Sequence, residues 1–511
     1  MSLKEIVLSL PVVRDFPPEA QVNVLTGLSS VALAALAWVV YRAISPSEKG
    51  SIRHLGGIPI FTAWTFFSKR YDFLWKHFRE SAAPHFKFQV LQHKVVAIRG
   101  EEARKAFFDT RNLDFIEGYK ILMGAAPRLN DISVENVLNE DVSWFNKQIS
   151  TLLNKKRLTD VLPSLLGDVN SRMEGWGKQG RMDPFKNIYD LVFQMTVRMA
   201  TCDELANDVP TMNEMQRLYW VLEKSATPTA LLLPWFPGPA KRRKEAATKE
   251  LFTKLYTVVE TRKAAEVPSS DAIDVLLGQG IPTEHIIQFV LAVIFAGVVN
   301  TGINSCWALV FLASHPEWKK AVKAEIDALI AKHTDTLSSE ILHKRLAAIP
   351  ISAWEDEMPV LDSVIRETIR LILNGAALRR NLLDDLTVAN GTIKKGEFVA
   401  YSVADAHLNP EIYSRPNDFD PARFGPGREE DKKATFAYLG WGAGRHPCTG
   451  MKVAKLEIKV IMAMMLAGYD FDVVDKNGRH MKNLPQPDRN DIQQARPIGE
   501  PCFLQFDRIV D

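Results

Sequence analysis

One cysteine of this chain stands in surroundings that suit metal chemistry. Cys448 is preceded by Gly442 and Gly444 and followed by Gly450, and a helical pattern starts at Met451. Glycine lets a backbone turn tightly and approach a flat partner closely. A helix N-terminus favours the thiolate form of a nearby cysteine. The segment therefore predicts a reactive or metal-bound thiolate presented on a glycine-rich loop.

The absence of a complete set of metal-binding residues near Cys448 in the sequence indicates which metal centre the thiolate would bind. The other cysteines are isolated in the sequence, at Cys202, Cys306 and Cys502. No Cys-x-x-Cys pair or Cys/His set completes a zinc site. A single thiolate on a glycine-rich loop indicates ligation of a haem iron. A lone cysteine is more often a small buried apolar residue, so the loop around Cys448 carries this interpretation.

The elements that position this loop are mostly helices. Apolar residues recur at i, i+3 and i+4 along most of the chain, which is typical of amphipathic helices. Strand patterns are few. Residues 86–98 predict one hairpin, and residues 386–401 predict another, with Asn390 and Gly391 in its tight turn. The sequence therefore predicts a mostly α fold with a small β region.

A long uncharged run, residues 286–314, predicts a helix inside the protein. Glu284 precedes it in a first turn and Pro316 ends it. Its middle holds small and polar residues, among them Gly297, Asn300 and Thr301, which would be poorly placed against lipid. We expect a buried helix that passes a ligand cavity, and we consider a membrane span the weaker alternative.

A second uncharged run, the 22 residues 20–41, is long enough to cross a bilayer. Basic residues at 42, 49 and 53 follow it, so the positive-inside rule leaves the main body cytosolic. A cleaved signal peptide is the alternative, but the run lacks a basic start. We predict a lumenal tail at 1–21, a transmembrane anchor at 22–44, a Pro/Gly linker at 45–60 and a cytosolic catalytic domain at 61–511.

Composition excludes several classes of protein. The chain has 511 residues, of which 46% are hydrophobic and 24% charged, and this excludes disordered, collagen-like and multi-spanning proteins. A net charge of +2 predicts no nucleic-acid partner, because such binding needs clustered surplus Lys and Arg. Four scattered cysteines are too few for a disulfide scaffold and favour a reducing compartment.

Residues 441–450 closely resemble the cysteine-loop signature of the cytochrome P-450 superfamily, the haem-thiolate monooxygenases. Trp441 replaces the usual Phe, and His446 stands where Arg is commoner. The resemblance implies that Cys448 is the axial ligand of the haem iron and that His446 donates to a haem propionate. It also implies a single large haem-thiolate fold, which the transmembrane anchor precedes.

Further segments fit the family in the same order along the chain. Glu367 and Arg370 match the Glu-x-x-Arg element, and their i, i+3 spacing puts both charges on one helix face. Residues 419–424 match the Phe-x-Pro-x-Arg-Phe segment, in which Arg423 would complete a charge network with Glu367 and Arg370. By resemblance this network is structural and supports the cysteine loop.

Two positions resemble further haem contacts. Arg380 lies where the family has a second propionate ligand, although its neighbour Arg379 is an equal alternative. Trp144 matches a tryptophan at the haem edge, but Gln148 stands where the family commonly has Arg. One propionate contact of the family therefore has no counterpart of the same type in this chain.

The long buried helix departs from the family. Val299 and Asn300 occupy the positions of the acid and the alcohol that help most monooxygenases to deliver protons to dioxygen. An Asn there resembles the steroid 7α- and 12α-hydroxylases, but also prostacyclin synthase and allene oxide synthase, which rearrange or dehydrate peroxides. The Asn300 amide can hold a water, and the Thr301 hydroxyl is one residue away. Alternatively, Asn300 bonds only within its own helix.

The resemblance implies a single-pass enzyme of the endoplasmic reticulum membrane that carries haem b. It would oxygenate a lipophilic small molecule such as a terpenoid, sterol, fatty acid or other specialised metabolite. Its partners would be dioxygen, NADPH-cytochrome reductase and membrane lipid. The extended N-terminal segment and the sequence as a whole resemble fungal enzymes of secondary metabolism. One alternative is a haem-thiolate isomerase or dehydratase that acts on a peroxide without a reductase. Another is a membrane-tethered haem protein that senses or carries without catalysis.

Two other segments have open interpretations. Residues 231–238 join an apolar tip to the basic run 241–244, which suits a loop dipping into an anionic membrane or simply a solvated helix start. Residues 121–123 and Phe295 either line the substrate cavity or belong to the core.

Overall fold

The structure is a computed structural model, and it describes residues 52–80, 83–120, 142–225, 238–265, 269–335, 340–491 and 495–510. It also describes the shorter pieces 17, 26–27, 30–31, 33–38, 41, 227, 229–230 and 236. The predicted lumenal tail and the predicted cavity residues 121–123 lie almost wholly outside the described residues.

Helices form most of the described chain, with short 3-10 turns at Pro421–Phe424 and Glu430–Lys432. In chain order the α-helices are α1 (Pro59–Ser68), α2 (Arg70–Glu80), α3 (Glu101–Asp109), α4 (Phe115–Lys120), α5 (Val142–Leu152), α6 (Lys155–Glu174), α7 (Pro184–Ala200), α8 (Asp203–Asn207), α9 (Val209–Glu223), α10 (Pro239–Lys263), α11 (Ala272–Gly278), α12 (Thr283–Ser314), α13 (Pro316–His333), α14 (Leu342–Ala347), α15 (Ile351–Asp356), α16 (Pro359–Ile372), α17 (Ala404–His407) and α18 (Met451–Gly468).

The strands are short and form a minor part of the fold. They are β1 (Arg53–His54), β2 (His85–Val90), β3 (His93–Ile98), β4 (Leu113–Asp114), β5 (Gln179–Met182), β6 (Ala376–Asn381), β7 (Leu386–Val388), β8 (Gly391–Ile393), β9 (Phe398–Ser402), β10 (Gly442–Ala443), β11 (His446–Pro447), β12 (Tyr469–Val474), β13 (Gln486–Pro487), β14 (Pro497–Ile498) and β15 (Phe503–Arg508). The predicted fold class, mostly α with a small β region, is confirmed.

One six-stranded sheet has the order β1-β2-β3-β9-β6-β4. Strands β2 and β3 pair antiparallel from His85 to Ile98, which confirms the first predicted hairpin. A three-stranded sheet has the order β12-β15-β5, and β7-β8, β10-β11 and β13-β14 form two-stranded ribbons.

The second predicted hairpin differs in its turn. Strands β7 and β8 do pair antiparallel, but the positive-φ turn residues are Ala389 (φ 48°) and Asn390 (φ 63°). Gly391 already belongs to β8, where a Cβ would approach the His85 ring to 2.4 Å. Gly391 is therefore required for close packing on β2, and the predicted Asn-Gly turn is wrong by one residue. Beyond this hairpin the chain enters β9, which pairs with β3 and β6.

Helix α12 is the central element of the core. Most of its side chains are buried, although within the described residues it alone is long and apolar enough to cross a membrane. A Cβ at Gly297 would lie 2.9 Å from Thr196, and one at Gly302 would lie 2.3 Å from the Tyr189 ring. These two glycines let α7 pack closely on α12. The prediction of a buried helix over 286–314 is confirmed.

Regular structure begins within the segment 45–60, which we predicted as a linker. Strand β1 pairs in parallel with β2 at Arg53, and α1 begins at Pro59. Strand β1 and the first two residues of α1 fall within the predicted linker 45–60, and β1 is an edge strand of the six-stranded sheet. Further towards the N-terminus, the described residues 30–31, 33–38 and 41 are helical, and their large apolar side chains are exposed.

Candidate active site

The cysteine loop is a small β-hairpin that leads into a helix. Strands β10 and β11 pair antiparallel, with Gly442 opposite Pro447. The backbone N–H of Cys448 donates to the Trp441 carbonyl at 2.7 Å, so the loop closes just before the thiol. Helix α18 then starts at Met451. The predicted order of loop, thiol and helix is present.

Two glycines of this hairpin have backbones that a side chain would disturb. Gly442 has φ 73° and Gly444 has φ 56°, the left-handed region that favours glycine. A Cβ at Gly444 would lie 2.4 Å from the Phe108 carbonyl oxygen, and Arg445 N–H donates to that same oxygen at 3.0 Å. The hairpin tip is thus held against the end of α3. Gly450 has no such crowding, because a Cβ there would meet nothing within 4 Å.

Cys448 is the exposed cysteine of the chain, whereas Cys202, Cys306 and Cys502 are buried. Although the residue is exposed, protein atoms around its sulfur desolvate it and raise the pKa of the thiol, and a hydrogen bond from Gly450 N–H lowers it. Desolvation therefore outweighs the hydrogen bond from Gly450 N–H. A coordinated metal ion deprotonates a thiol outright, so the thiolate would form on metal binding.

His446 lies beside a buried arginine. Its ring stacks on Phe115 with ring centroids 5.4 Å apart. The Arg379 guanidinium lies 4.7 Å from the centroid of the same Phe115 ring. Burial lowers the pKa of His446, and the nearby charges of Arg379 and Arg445 lower it further. The neutral imidazole still has one N–H donor, so His446 and Arg379 together can bind a carboxylate.

Arg380, the propionate contact predicted from resemblance, has other partners. It pairs with Glu117 at 3.0 Å and donates to the Gly396 carbonyl at 3.3 Å. Successive residues of a strand point to opposite faces, so Arg380 and Arg379 on β6 cannot share one site. The structure therefore brings Arg379, and not Arg380, to His446. Helix α4 packs closely on this part of β6, since a Cβ at Gly118 would meet Arg379 Cα at 2.4 Å.

Helix α5 also contacts the segment after the cysteine. Thr449 donates from Oγ1 to Asn146 Oδ1 at 3.1 Å. Trp144 is half-buried and meets the Phe289 ring edge to face at 5.9 Å. Gln148 is buried one turn further along the same face, and its Oε1 has no hydrogen-bond partner. Helix α5 thus places Trp144 and a buried amide next to the cysteine segment and α12.

The structure brings Glu367, Arg370 and Arg423 together, and all three side chains are completely buried. Arg370 makes a two-bond contact with Glu367, from Nε at 2.8 Å and from Nη2 at 2.8 Å. Arg423 Nε donates to the same carboxylate at 2.9 Å. Two arginines share one carboxylate, and Glu430 compensates the extra charge by accepting from Arg423 Nη1 at 2.7 Å.

The remaining donors of this buried network bind backbone carbonyls. Arg370 Nη1 donates to the His407 carbonyl at 2.6 Å and to the Pro416 carbonyl at 2.7 Å. Arg423 Nη2 donates to the Asp418 carbonyl at 3.1 Å. A buried guanidinium needs such partners for its remaining N–H groups. The network therefore fixes the irregular segment 407–423 and contacts no described residue of the cysteine hairpin directly.

Asn300 lies on an exposed stripe of an otherwise buried helix. Ala292, Ala296 and Asn300 are exposed and recur every fourth residue of α12, so they share one face. The Asn300 amide donates to the Ala296 carbonyl at 3.4 Å. This long hydrogen bond lies within the helix, as expected if Asn300 bonds only within α12. The side chain is nevertheless exposed, so the same amide is available to a ligand on this face.

Thr301, which we expected to support Asn300, faces elsewhere. It is 3% exposed and lies about 100° round the helix from Asn300. Phe295 is half-buried and contacts the Tyr219 ring at 4.9 Å, so it belongs partly to the core. Of the apolar loop 231–238 the structure describes Phe236, which is 46% exposed, and Gly238. Its membrane role stays a prediction.

These features fit a haem group. A thiol is exposed at a loop that a flat partner can approach at Gly450, and a buried amide oxygen of Gln148 has no partner. His446 and Arg379 supply donors for a carboxylate. Within the described residues no group of three or more His, Cys, Asp or Glu side chains could hold a metal ion. Cys448 is thus suited to single-residue axial ligation rather than to a multi-ligand site.

Sequence reasoning missed two residues of this site. Phe115 joins His446 to Arg379 by ring contacts, and no periodicity marks it. His407 is completely buried, and its ring accepts a hydrogen bond from the backbone N–H of Leu439. A lone histidine in a helical segment gives no sequence signal. Only the three-dimensional path of the chain puts His407 beside the cysteine loop.

Comparison with known proteins identifies the family. The family model "Cytochrome P450" matches residues 55–492. Cytochrome P450 monooxygenase AacuE of Aspergillus aculeatus is 29% identical over 492 residues, which cover 94% of this chain and 98% of the relative. Cytochrome P450 monooxygenase nsrP of Aspergillus novofumigatus is 30% identical over 79% of this chain and 81% of the relative.

More distant relatives extend beyond fungi. A sterol 14-demethylase of Arabidopsis thaliana is 28% identical and covers 76% of this chain and 79% of the relative. A solved structure, the retinoic acid bound cyanobacterial CYP120A1, superposes with a TM-score of 0.70 at 20% identity and covers 90% of this chain and 100% of that chain. That likeness shows the fold. The family match spans most of the sequence and includes the cysteine hairpin, so this chain belongs to the cytochrome P450 family and is an oxidoreductase of the monooxygenase type.

Proposed function

We propose that this protein is a membrane-anchored haem-thiolate monooxygenase that oxygenates a lipophilic small molecule with dioxygen and NADPH-derived electrons. The observation that carries the proposal is Cys448, an exposed thiol between the β10–β11 hairpin and α18. Haem b held by such a thiolate would supply the dioxygen chemistry, in which one oxygen atom of dioxygen enters the substrate and the other leaves as water with two NADPH-derived electrons and two protons.

The residues around Cys448 would hold the cofactor in place. Cys448 would ligate the haem iron, and His446 with Arg379 would bind a propionate. Trp144 and Gln148 would approach the haem edge from α5. A charge-assisted hydrogen bond from a buried arginine is among the stronger contacts available for a carboxylate.

Asn300 would hold a proton-carrying water on the exposed stripe of α12. An amide is both donor and acceptor, so it can order a water as a hydroxyl does. The small side chains of Ala292 and Ala296 leave room for a substrate beside it. The relatives that are named monooxygenases favour this role over peroxide rearrangement.

The substrate would be lipophilic. The exposed stripe of α12 consists of two alanines and one amide, a mostly apolar surface. Similar proteins are named for a sterol and for retinoic acid, both apolar molecules with few polar groups. A terpenoid, sterol, fatty acid or other specialised metabolite would suit such a surface.

The N-terminal segment would anchor the enzyme in the endoplasmic reticulum membrane, where NADPH-cytochrome reductase would supply electrons. Val31, Leu33 and Tyr41 are helical and between 66% and 68% exposed, which is costly in water and favourable in lipid. Deletion of residues 2–41 should move the protein from the membrane pellet to a soluble fraction. Retention of the deleted protein in carbonate-washed membranes would contradict the anchor.

Incubation with dioxygen labelled with the heavy isotope tests the reaction. Microsomes that contain the enzyme and its reductase receive NADPH and a panel of sterols, terpenoids and fatty acids. One labelled atom per product molecule supports the monooxygenase, and Cys448→Ser should abolish it while Cys502→Ser retains it. Conversion of a fatty acid hydroperoxide without NADPH, together with no labelled product, would favour the isomerase or dehydratase.

A further inference from the structure

His407 is a buried titratable residue that the proposed reaction does not use. It ends the one-turn helix α17 and is completely buried. Burial, together with the nearby positive charge of Arg370, lowers the pKa of its imidazole to about 3. The ring is therefore neutral at ordinary pH, with one nitrogen as donor and the other as acceptor.

Both ring nitrogens of His407 bind backbone groups. Nδ1 lies 3.0 Å from the Leu373 carbonyl oxygen, and the Leu439 N–H donates to Nε2 at 2.9 Å. A carbonyl only accepts and a backbone N–H only donates, so the proton resides on Nδ1. The ring also stacks on Tyr438 with centroids 5.6 Å apart. Both ring nitrogens and one face of the imidazole thus have a defined neighbour.

These two hydrogen bonds join the buried charge network to the cysteine loop. Leu373 directly follows α16, which carries Glu367 and Arg370, and the His407 carbonyl accepts from Arg370. On the other side, the Leu439 carbonyl accepts from Gly442 N–H at 3.0 Å, in the first residue of the hairpin. One imidazole therefore connects α16 to the entry of the hairpin that presents Cys448.

We propose that His407 is a positioning residue that holds Leu439, and through it the hairpin, in the conformation that presents the Cys448 thiol to the haem iron. The inference deepens the proposed function and rests on Cys448 as the axial ligand. Loss of the Nε2 acceptor leaves a buried N–H without a partner, which favours a displaced loop.

Two substitutions separate the two hydrogen bonds. In His407→Gln the amide oxygen is as many bonds from Cβ as Nε2 is in histidine, so this variant retains an acceptor for the Leu439 N–H. His407→Asn places an amide nitrogen at the distance of Nδ1, so it retains the donor to Leu373 and loses the acceptor. His407→Phe keeps the ring and loses both bonds. His315→Phe is the control, because His315 bonds the Phe311 carbonyl at 2.8 Å, away from the loop.

The first measurement is amide hydrogen exchange of Leu439 in the full-length protein. We expect exchange to rise by about tenfold or more in His407→Asn and His407→Phe and by less than about threefold in His407→Gln and His315→Phe. Unchanged protection of Leu439 in folded His407→Asn would overturn the proposal. Equal loss of protection in His407→Gln and His407→Asn would overturn it too, because the Nε2 acceptor would then be irrelevant.

The second measurement is the ferrous carbon monoxide spectrum of the same variants at equal haem content. We expect the ratio of thiolate-ligated to thiol-ligated bands to fall about fivefold or more in His407→Asn, with His407→Gln close to wild type. A wild-type ratio in His407→Asn would contradict the proposal. A wild-type protein without a thiolate band would instead contradict the function of Cys448, and the exchange experiment would still test the bond to Leu439.

Discussion

Neighbouring arginines on one strand have opposite surroundings, and these surroundings favour Arg379 over Arg380 as the proposed cofactor contact. Arg379 is buried, with its guanidinium over the rings of Phe107 and Phe115. The Arg380 side chain is 34% exposed and pairs with Glu117. Arg379 shares the Phe115 ring with His446, so Arg379 is the arginine whose position suits an anionic ligand group beside His446.

We expect Arg379→Gln to weaken haem binding and Arg380→Gln to leave it nearly unchanged. A hydrogen bond to a charged group contributes about 1.5–3 kcal/mol, so haem should dissociate about tenfold to a hundredfold more readily from Arg379→Gln. An exposed pair such as Arg380–Glu117 contributes about 0–1 kcal/mol. Transfer of haem to an excess of an acceptor apoprotein measures this. Faster loss from Arg380→Gln than from Arg379→Gln would restore Arg380 as the contact.

Asn300 provides the second prediction at this scale. We expect Asn300→Thr to retain NADPH-dependent oxygenation within about threefold, because a hydroxyl is also a donor and an acceptor. Asn300→Leu should lower the rate by about a hundredfold or more, because it cannot order a proton-carrying water. Product formation per haem measures both. Full activity of Asn300→Leu would mean that Asn300 bonds only within its helix.

At the scale of elements, the β10–β11 hairpin depends on close backbone contact with α3. Both Gly444 (φ 56°) and Gly427 (φ 84°) have positive φ, but only Gly444 would crowd a backbone atom if a Cβ were added. Substitution at either glycine would introduce backbone strain, whereas only substitution at Gly444 would also introduce a steric clash.

We expect Gly444→Ala to destabilise the protein more than Gly427→Ala. A left-handed non-glycine residue costs about 1–2 kcal/mol, which applies to both variants. Overpacking adds about 1–3 kcal/mol for Gly444→Ala alone, because the Phe108 carbonyl must move. Denaturant unfolding of the two variants measures the difference. Equal destabilisation would show that the hairpin does not need its contact with α3.

Helices α7 and α18 meet through a second buried acid. Glu457 on α18 is 1% exposed and accepts from Thr196 Oγ1 on α7 at 3.3 Å. Burial raises the pKa of the Glu457 carboxyl to about 8, although the hydrogen bond from Thr196 lowers it. Thr196 in turn fills the space beside Gly297 on α12. A neutral carboxyl group therefore lies between the helix that follows Cys448 and the helix that carries Asn300.

The raised pKa of Glu457 predicts a pH dependence of stability. Between the unfolded value of 4.5 and the folded value of about 8 the native state binds the additional proton, so its stability falls as pH rises. One such proton contributes a slope of up to about 1.4 kcal/mol per pH unit. We expect Glu457→Gln to flatten the unfolding free energy over this range. An unchanged slope in Glu457→Gln would show that the carboxyl is ionised in the folded protein.

Sequence patterns predicted where helices and strands lie better than they predicted which way individual side chains point. The buried helix and the first hairpin follow from local apolar patterns, and Cys448 follows from its glycine-rich surroundings. Arg379 and Arg380 have the same charge and adjacent positions, so only the face of β6 from which each side chain projects distinguishes them. Thr301 lies next to Asn300 in sequence, yet about 100° of helix rotation buries it.

At the scale of the whole molecule, the buried network of Glu367, Arg370 and Arg423 joins segments far apart in the sequence. It fixes the chain between α17 and the Pro421–Phe424 turn, and His407 extends this support to the cysteine hairpin. Loops that lack regular structure need such partners for their backbone groups. The family resemblance implied that the three charges meet, but it could not reveal which backbone carbonyls they bind.

The central claim is that Cys448 ligates a haem iron as a thiolate. The most direct test is the ferrous carbon monoxide difference spectrum of the full-length protein in microsomes, reduced with dithionite or with NADPH and reductase. We predict a thiolate band with both reductants for wild type and for Cys202→Ser, Cys306→Ser and Cys502→Ser, and none for Cys448→Ser. A normal thiolate band in Cys448→Ser, or no such band in folded wild-type haem protein, would contradict the account.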